Sequence, residues 1–267
     1  MKNFKLLEDD TIYVDGHTLY RIEATRDFGE VNCGDVGGYV ESLDNLDNNA
    51  WVFDNARVFG NARVYGDALV SEDARVYGNA WVYGDALVSG NATVYDNARV
   101  FGNALVFGKA FVYEDVWVYD TARVSENAWV CGKARVFGKS QVYGTSLVCG
   151  NARVFGKSHV YGNSQVSGNA RVYGNAQVYG DSKVLKGSVK FDGEVINITS
   201  NGVLYPITIL PKHIQIGCQC HSRSAWFRFT DSEIRKMDGE KAVVWWKTWK
   251  PILKSICDAN ASGDEQC

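Results

Sequence analysis

Valine stands at every sixth position from Val52 to Val184, 23 times in succession, and Leu46 and Val40 continue the column backwards. Neither the 3.6-residue period of a helix nor the two-residue alternation of a plain strand produces this spacing. Short strands that wind into a three-sided coil do produce it, at 18 residues a turn with coil stacked on coil. The other positions repeat as well: Ala74-Arg75-Val76-Tyr77-Gly78-Asn79 returns as Ala170-Arg171-Val172-Tyr173-Gly174-Asn175. The period predicts a hexapeptide solenoid from about Tyr39 to about Ser188. At a strand spacing of about 4.8 Å, its roughly eight coils make a column about 40 Å tall.

Strand alternation assigns a role to each position. Val and the Ala or Ser two residues before it face inward, the residues flanking Val face out, and the Gly-Asn, Gly-Asp or Gly-Lys pair turns the corner. Coils above and below satisfy each strand, so only the two ends need covering. Ahead of the solenoid, Thr11–Val14 and Thr18–Ile22 alternate around Asp15-Gly16, a hairpin signal. After Ser188 the period fails. Residues 194–199 and 203–209 flank Ser200-Asn201-Gly202 as a second hairpin. Thr230-Asp231-Ser232-Glu233 is a capping box for a short helix through Met237. Trp245, Thr248, Trp249, Ile252, Leu253 and Ile256 then share one helical face, with Pro251 expected to kink or divide it and a frayed tail from Asp258. The expected division is an N-terminal β cap at 1–39, the solenoid at 40–188, a β-hairpin cap at 189–222 and a helical cap and tail at 223–267.

The opening residues have no apolar leader, no stretch is long enough to span a bilayer, and seven irregularly spaced cysteines do not suggest a disulfide framework. A cytoplasmic, reduced protein is expected. Net charge is −3 overall, composed of −7 over residues 1–50, +3 over 51–188 and +1 over 189–267. No dense Lys/Arg stripe marks a nucleic-acid binder.

The repeat, together with the entry Gly34-Asp35-Val36-Gly37-Gly38-Tyr39-Val40-Glu41-Ser42, resembles the YdcK-like hexapeptide-repeat proteins of bacteriophages and prophages. The resemblance covers roughly residues 18–190. It implies a left-handed parallel β-helix, frequent assembly as trimers and a phage or prophage origin. It implies no reaction. The segment His213-Ile214-Gln215-Ile216-Gly217-Cys218-Gln219-Cys220-His221 also looks like the terminal part of similar phage proteins.

The wider hexapeptide superfamily includes acyltransferases, so His159, the one histidine in the solenoid, is the candidate base. It stands outward between Gln141 and Gln177, and no loop leaves the coils to wall a pocket around it. His213, Cys218, Cys220 and His221 are candidate zinc ligands, although a one-residue Cys gap is short for a knuckle and a strand would turn His221 away from the cysteines. A buried apolar Cys pair is the plainer expectation, and neither a metal nor another cofactor is expected.

One outward column reads Arg63, Trp81, Arg99, Trp117, Arg135, Arg153 and Arg171, with Tyr65, Tyr83, Phe101, Tyr119, Phe137, Phe155 and Tyr173 beside it. In the lower half tryptophan separates the arginines. In the upper half three guanidinium groups follow one another about 4.8 Å apart, a repulsive stack that an anion or an acidic partner would relieve. Arg135, Arg153, Arg171, Phe137, Phe155, Tyr173, Lys139 and Lys157 form the expected binding patch, while plain solvation of the long arginine side chains is the bland alternative.

These features lead to a non-enzymatic, phage-type binding protein that engages a host protein or a small anionic ligand, with no membrane partner. An acyl-CoA-dependent acyltransferase and a structural virion component are the alternatives. Seven stacked aromatics, or a cap surface with Trp245, Trp246 and Trp249, suggest burial between subunits of a homo-oligomer, a trimer favoured.

Overall fold

In the computed structural model the described residues are 2–184, 188–191, 196–198, 204–205, 207–210, 212–217 and 219–261. Three parallel ladders form the solenoid, one for each side of the coil. The first side carries Val58 through Val184, the second Val64 through Val172 and the third Val52 through Val178, each valine paired with the one 18 residues on. All 23 of these valines are fully buried. So are their Ala or Ser companions, with Val116 as a larger member of the same inward set. Every coil therefore closes around a thin apolar column, and backbone N–H groups of one coil donate to carbonyls of the next (Arg99 to Val116 2.8 Å, Arg153 to Ala170 2.9 Å). Fixed register follows, because a slip of one residue would expose the whole valine column.

The corner differs in detail from the sequence reading. The left-handed residue is the one two after Val, and the Asn that follows Gly is not left-handed. Glycine holds that place in most coils, but Asp54, Glu72, Asp96, Glu114, Asp120 and Glu126 also hold it with φ of 55–60°. Several of these carboxylates reach up one coil: Glu126 accepts from Gly144 N–H (2.9 Å) and Asp120 from Gly138 N–H (3.0 Å). A charge-assisted bond to the next backbone N–H offsets part of the cost of the left-handed conformation. The following Asn forms a ladder of its own, as in Asn61 to Asn79 (3.1 Å), Asn79 to Asn97 (3.2 Å) and Asn97 to Asp115 (3.1 Å).

At the lower end, β1 (Phe4–Val14) and β2 (His17–Ala24) pair antiparallel around Asp15 and Gly16, the turn the sequence announced. β1 is longer than the short strand expected. β2 pairs with β3 (Val36–Val40), which runs parallel to Arg57–Val58 and extends the first side into an 11-stranded sheet. β1 is that sheet's edge, where a register shift between Leu7 and Thr11 and the acids Glu8, Asp9 and Asp10 oppose further pairing. The Gly37-Gly38 pair lets this cap close down: a Cβ on Gly37 would lie 2.5 Å from the Val52 carbonyl, and one on Gly38 would lie 2.6 Å from that of Ala56. Trp51, 1 % exposed, fills the space beside them.

At the upper end, Ser188–Phe191 pairs with Arg171–Gly174 as the last strand of the second side. A four-stranded antiparallel sheet follows, Ile196–Ile198, Ile207–Ile209, His213–Ile216 and Gln219–Ser222. Its second strand begins at Ile207, later than Val203, and the expected turn Ser200-Asn201-Gly202 lies outside the described residues. Leu210 joins the solenoid core and Lys183 N–H donates to Thr208 Oγ1 (3.3 Å), which ties this sheet to the last coil.

α1 (Arg223–Arg228) and α2 (Asp231–Ala261) follow the sheet. The capping box forms as read, with Thr230 N–H bonding the Glu233 carboxylate (2.8 Å) and Glu233 N–H bonding Thr230 Oγ1 (3.3 Å). The break falls at Asp238 and Gly239 (φ 73°), after Met237, and the helix continues through Pro251. Residues 258–261 belong to the helix and not to a tail. The buried face is also rotated from the expected one: Ala242, Val243, Trp246, Leu253 and Cys257 are buried, whereas Thr248 and Ile252 are exposed. The small residues Ala242 and Cys257 let the helix sit close to the sheet, and a count of large apolar residues passes over them.

Candidate functional site

The Arg/aromatic column occupies the second side. Its aromatic rings are parallel and in register, with centroids 4.8–5.0 Å apart from Tyr65 to Tyr173. Each ring covers the next, so all seven are half-buried, and the exposed apolar patch expected there is largely self-covered. Trp246 is buried inside its own chain, and Trp245 and Trp249 stack on each other at 5.6 Å. Both surfaces that suggested subunit burial thus have much of their apolar area covered within the chain.

The lower and upper halves of the arginine column differ in the way the sequence suggested. The Arg99 guanidinium lies 5.0 Å from the Trp81 ring and 5.4 Å from the Trp117 ring, and Arg99 is half-buried. Arg135 rests over Trp117 at 4.7 Å, so it has one aromatic neighbour and belongs partly to this ladder. Above it the register pairs Arg135 with Arg153 and Arg153 with Arg171 directly. All three are exposed, and none has an ion pair among the described residues. Arg57 and Arg75 on the first side form a further direct pair that the sequence reading passed over.

Charge within the solenoid is also unevenly divided, which a sum over the whole column hides. Residues 51–130 carry 6 basic and 10 acidic side chains, net −4, whereas residues 131–184 carry 7 basic and 1 acidic, net +6. Of the seven upper cations only Lys183 lies elsewhere. Arg135, Arg153 and Arg171 stand on the second side itself, Lys133 at the corner before it, and Lys139 and Lys157 at the corner after it. Directly below, the same corners carry Asp96, Glu114, Asp115 and Asp120. Phe137, Phe155 and Tyr173 lie between the arginine column and the two lysines, so the cations border flat apolar surface.

His159 stands where the sequence put it, paired in register with Gln141 and Gln177, with the Tyr143 ring edge-on at 6.2 Å. No described carboxylate pairs with it.

The four candidate zinc ligands do not lie on one strand. His213–Ile216 and Gln219–Ser222 are adjacent antiparallel strands, and Cys218 lies outside the described residues. Ile214 opposes His221 and Gln215 opposes Cys220, so His213 and Cys220 share one face and His221 takes the other. His221 packs edge-on against Trp226 (5.2 Å) and Phe229 (5.0 Å). Cys220 is half-buried, short of the buried pair expected. Among the described residues no group of three or more His, Cys, Asp or Glu side chains is placed to hold a metal.

A different thiol pair is better defined. Cys131 and Cys149 follow one another on the first side, and Tyr113 stands one coil below. Burial pushes the Cys131 thiol up to about 12, and its hydrogen bond with Cys149 adds to the shift.

Residues 56–72, 62–78, 74–89, 148–162 and 164–180 match the YdcK beta solenoid repeat family, so the chain carries YdcK-like β-solenoid repeats in both halves of its column. No curated protein matches it. Among the described residues no helix is long and apolar enough to cross a membrane.

Proposed function

We propose that this is a non-enzymatic binding protein whose upper Arg/aromatic face engages an acidic surface of a host protein or a small anionic ligand. The concentration of six of the seven upper cations on one side and its two corners carries the reading. Aligned charges of one sign raise the local potential, and a carboxylate or phosphate that enters the stack removes repulsion while gaining paired guanidinium hydrogen bonds. The backbone there is bonded coil to coil, so little conformational entropy is lost on binding. The glutamines on both sides of His159, and the coil that continues past it without a loop, favour a binding role over acyl transfer. The resemblance noted above supports a phage or prophage origin and assembly as a homo-oligomer with trimer symmetry favoured, for which light scattering giving a species near 30 kDa would be contrary, and the irregular cysteine spacing supports action in the bacterial cytoplasm.

The test is affinity capture from a bacterial lysate with the wild type and with the Arg135→Gln, Arg153→Gln, Arg171→Gln triple variant. The variant should fold normally, since all three side chains lie outside the valine column. Its affinity for the captured partner should fall about tenfold or more at low salt, and the difference should shrink as salt rises. Equal binding by both proteins at low salt would refute the reading.

A further inference from the structure

Charge on the second side and its two corners is ordered along the column. On the coil of Val118 stand Glu114, Asp115 and Asp120 with no cation, and on the next coil, that of Val136, stand Lys133, Arg135 and Lys139 with no acid. Further up, Arg153 and Lys157 and then Arg171 keep the sign positive. Further down, Asp96 balances Arg99, Asp85 is unopposed and Asp67 balances Arg63. The three acids and three cations at the boundary are exposed. None of them makes an ion pair among the described residues, although the coils lie only about 4.8 Å apart. A face whose charge reverses about its own midpoint is complementary to itself when turned end over end.

We propose that the second side packs against the second side of another copy of this chain, the two columns antiparallel about a two-fold axis that runs along the strands between Val118 and Val136. Such an axis keeps each position along a strand opposite itself and reverses the order of the coils. Glu114 and Asp115 then face Lys133 of the second copy, Asp120 faces its Lys139, Trp117 its Arg135 and Trp81 its Arg171. Arg171 has no tryptophan beside it in its own column and gains one here. The aromatic ladders meet along the same line, Tyr119 opposite Phe137 and Phe101 opposite Phe155. One like-charged pair results, Arg99 opposite Arg153, where Arg99 is already held between Trp81 and Trp117 and Asp96 shares its coil. Seven coils from Val64 to Val172, with six residues to a side, give a face of about 30 Å by 20 Å. Two such faces bury about 1,200 Å², the low end for a specific contact, so charge should decide whether it forms. The N-terminal hairpin extends the sheet of the first side, and Lys183, which bonds Thr208 of the C-terminal cap, also lies on the first side, so both attachments are away from this face. The upper half thus remains the site for an acidic surface proposed above, on which this contact rests, and the lower half of a second copy is that surface.

The test is sedimentation of the full-length protein with reciprocal charge changes. At low salt the wild type should form a dimer near 59 kDa, twice 29.6 kDa, and it should dissociate near 1 M salt, where the screening length is about 3 Å. Lys133→Glu with Lys139→Glu sets acid against acid across the axis. Asp115→Lys with Asp120→Asn removes the attraction from the other half, and Asn tolerates the left-handed corner that Asp120 holds. Each variant alone should dimerise about tenfold more weakly or worse. An equimolar mixture of the two should recover the dimer, because the unaltered acidic half of one then faces the unaltered basic half of the other. If a reversal disturbs folding, Lys133→Gln with Lys139→Gln weakens the same contact without it. A wild-type monomer at low salt, a trimer near 89 kDa (three times 29.6 kDa) that ignores the changes, or a mixture no better than its parts would overturn the proposal. Arginine-dependent capture of a lysate protein is a separate readout. If it persists while the mixture stays monomeric, only the self-contact fails, and if the mixture recovers without such capture, only the host partner does.

Discussion

Replacement of Gly132 tests what sets the distance between coils. Gly132 has φ +73°, and a Cβ there would lie 2.7 Å from the Gly150 nitrogen and 2.9 Å from its carbonyl oxygen. These are backbone atoms of the next coil, held in place by Lys133 N–H bonding the Gly150 carbonyl (2.7 Å). In Gly132→Ala the left-handed conformation costs about 1–2 kcal/mol. Moving one corner by about half an ångström adds an overpacking cost on the order of 1–3 kcal/mol. A total of about 3 kcal/mol corresponds to roughly 150-fold faster exchange of the amides bridging these coils, if opening is local. Gly132→Asp places the same Cβ but adds a carboxylate that can accept Gly150 N–H, as Glu114 does for Gly132 and Asp120 for Gly138. Asp also tolerates the left-handed region better than Ala. Its cost should therefore be near 1 kcal/mol. Gly16→Ala is the control, with φ +91° but nothing within 4 Å of the added Cβ. Native-state hydrogen exchange on the three variants gives the order directly. If Gly132→Ala is no worse than Gly132→Asp, coil spacing is not set by contact at this corner and the argument fails.

Two further outcomes follow from titratable groups. Burial raises the Glu41 carboxyl, but hydrogen bonds with His17 (2.8 Å) and from Gly60 N–H (2.7 Å) outweigh it and leave the value below 4.5. A depressed carboxyl stabilises the fold above its unfolded value and ceases to as pH falls through the folded one, so amide protection in the β1–β2 hairpin should decline as pH falls below the unfolded carboxyl's 4.5. Glu41→Gln should flatten that dependence, and a wild-type profile as flat as the variant's would contradict it. With Cys131 raised to about 12, its thiolate is scarce at neutral pH, so iodoacetamide at pH 8 should label exposed Cys33 while leaving Cys131 intact in the folded protein. Mass spectrometry showing Cys131 alkylated as fast as Cys33 would refute this.

The solenoid was legible because one inward residue type at one interval leaves no competing fold, and the register of Val40 through Val184 agrees with it throughout. The arginine column was legible for the same reason, since a period of 18 converts sequence spacing into contact. What the period could not show was conformation within the corner. Gly and Glu look opposite in a propensity scale, yet Gly78 and Glu114 hold the same left-handed angle because a carboxylate can bond the coil above. The cap has no period, and there the reading drifted by one helical step. Counting Trp245, Thr248 and Ile252 as the inner face ignored Ala242 and Cys257, whose small size is what permits close packing. The two strands around Gly217 were read as one for a related reason: neither Cys218 nor Gln219 announces a turn.

A solenoid stacks like on like, so any charged outward residue repeats every 18 positions unless the sequence intervenes. On the lower half of the second side it does intervene: tryptophan alternates with arginine, and acidic corners face the same side, whereas Arg57 and Arg75 stack directly on the first side. In the upper half alternation stops, glycine takes the left-handed place at each corner with lysine after it at three of them, and Ser140, Ser146, Ser158, Ser164 and Ser182 stand in place of inward alanines. The serines do not explain the change outside, because Ser140 and Ser158 bond carbonyls inside the coil (Phe137 2.9 Å, Phe155 2.9 Å). Nothing in the packing requires Arg153 to follow Arg135, since Trp117 between Arg99 and Arg135 shows that an aromatic fits the column. Three arginines in direct sequence therefore add repulsion that folding does not need. That surplus is the strongest physical ground for placing the partner on the upper half of this side.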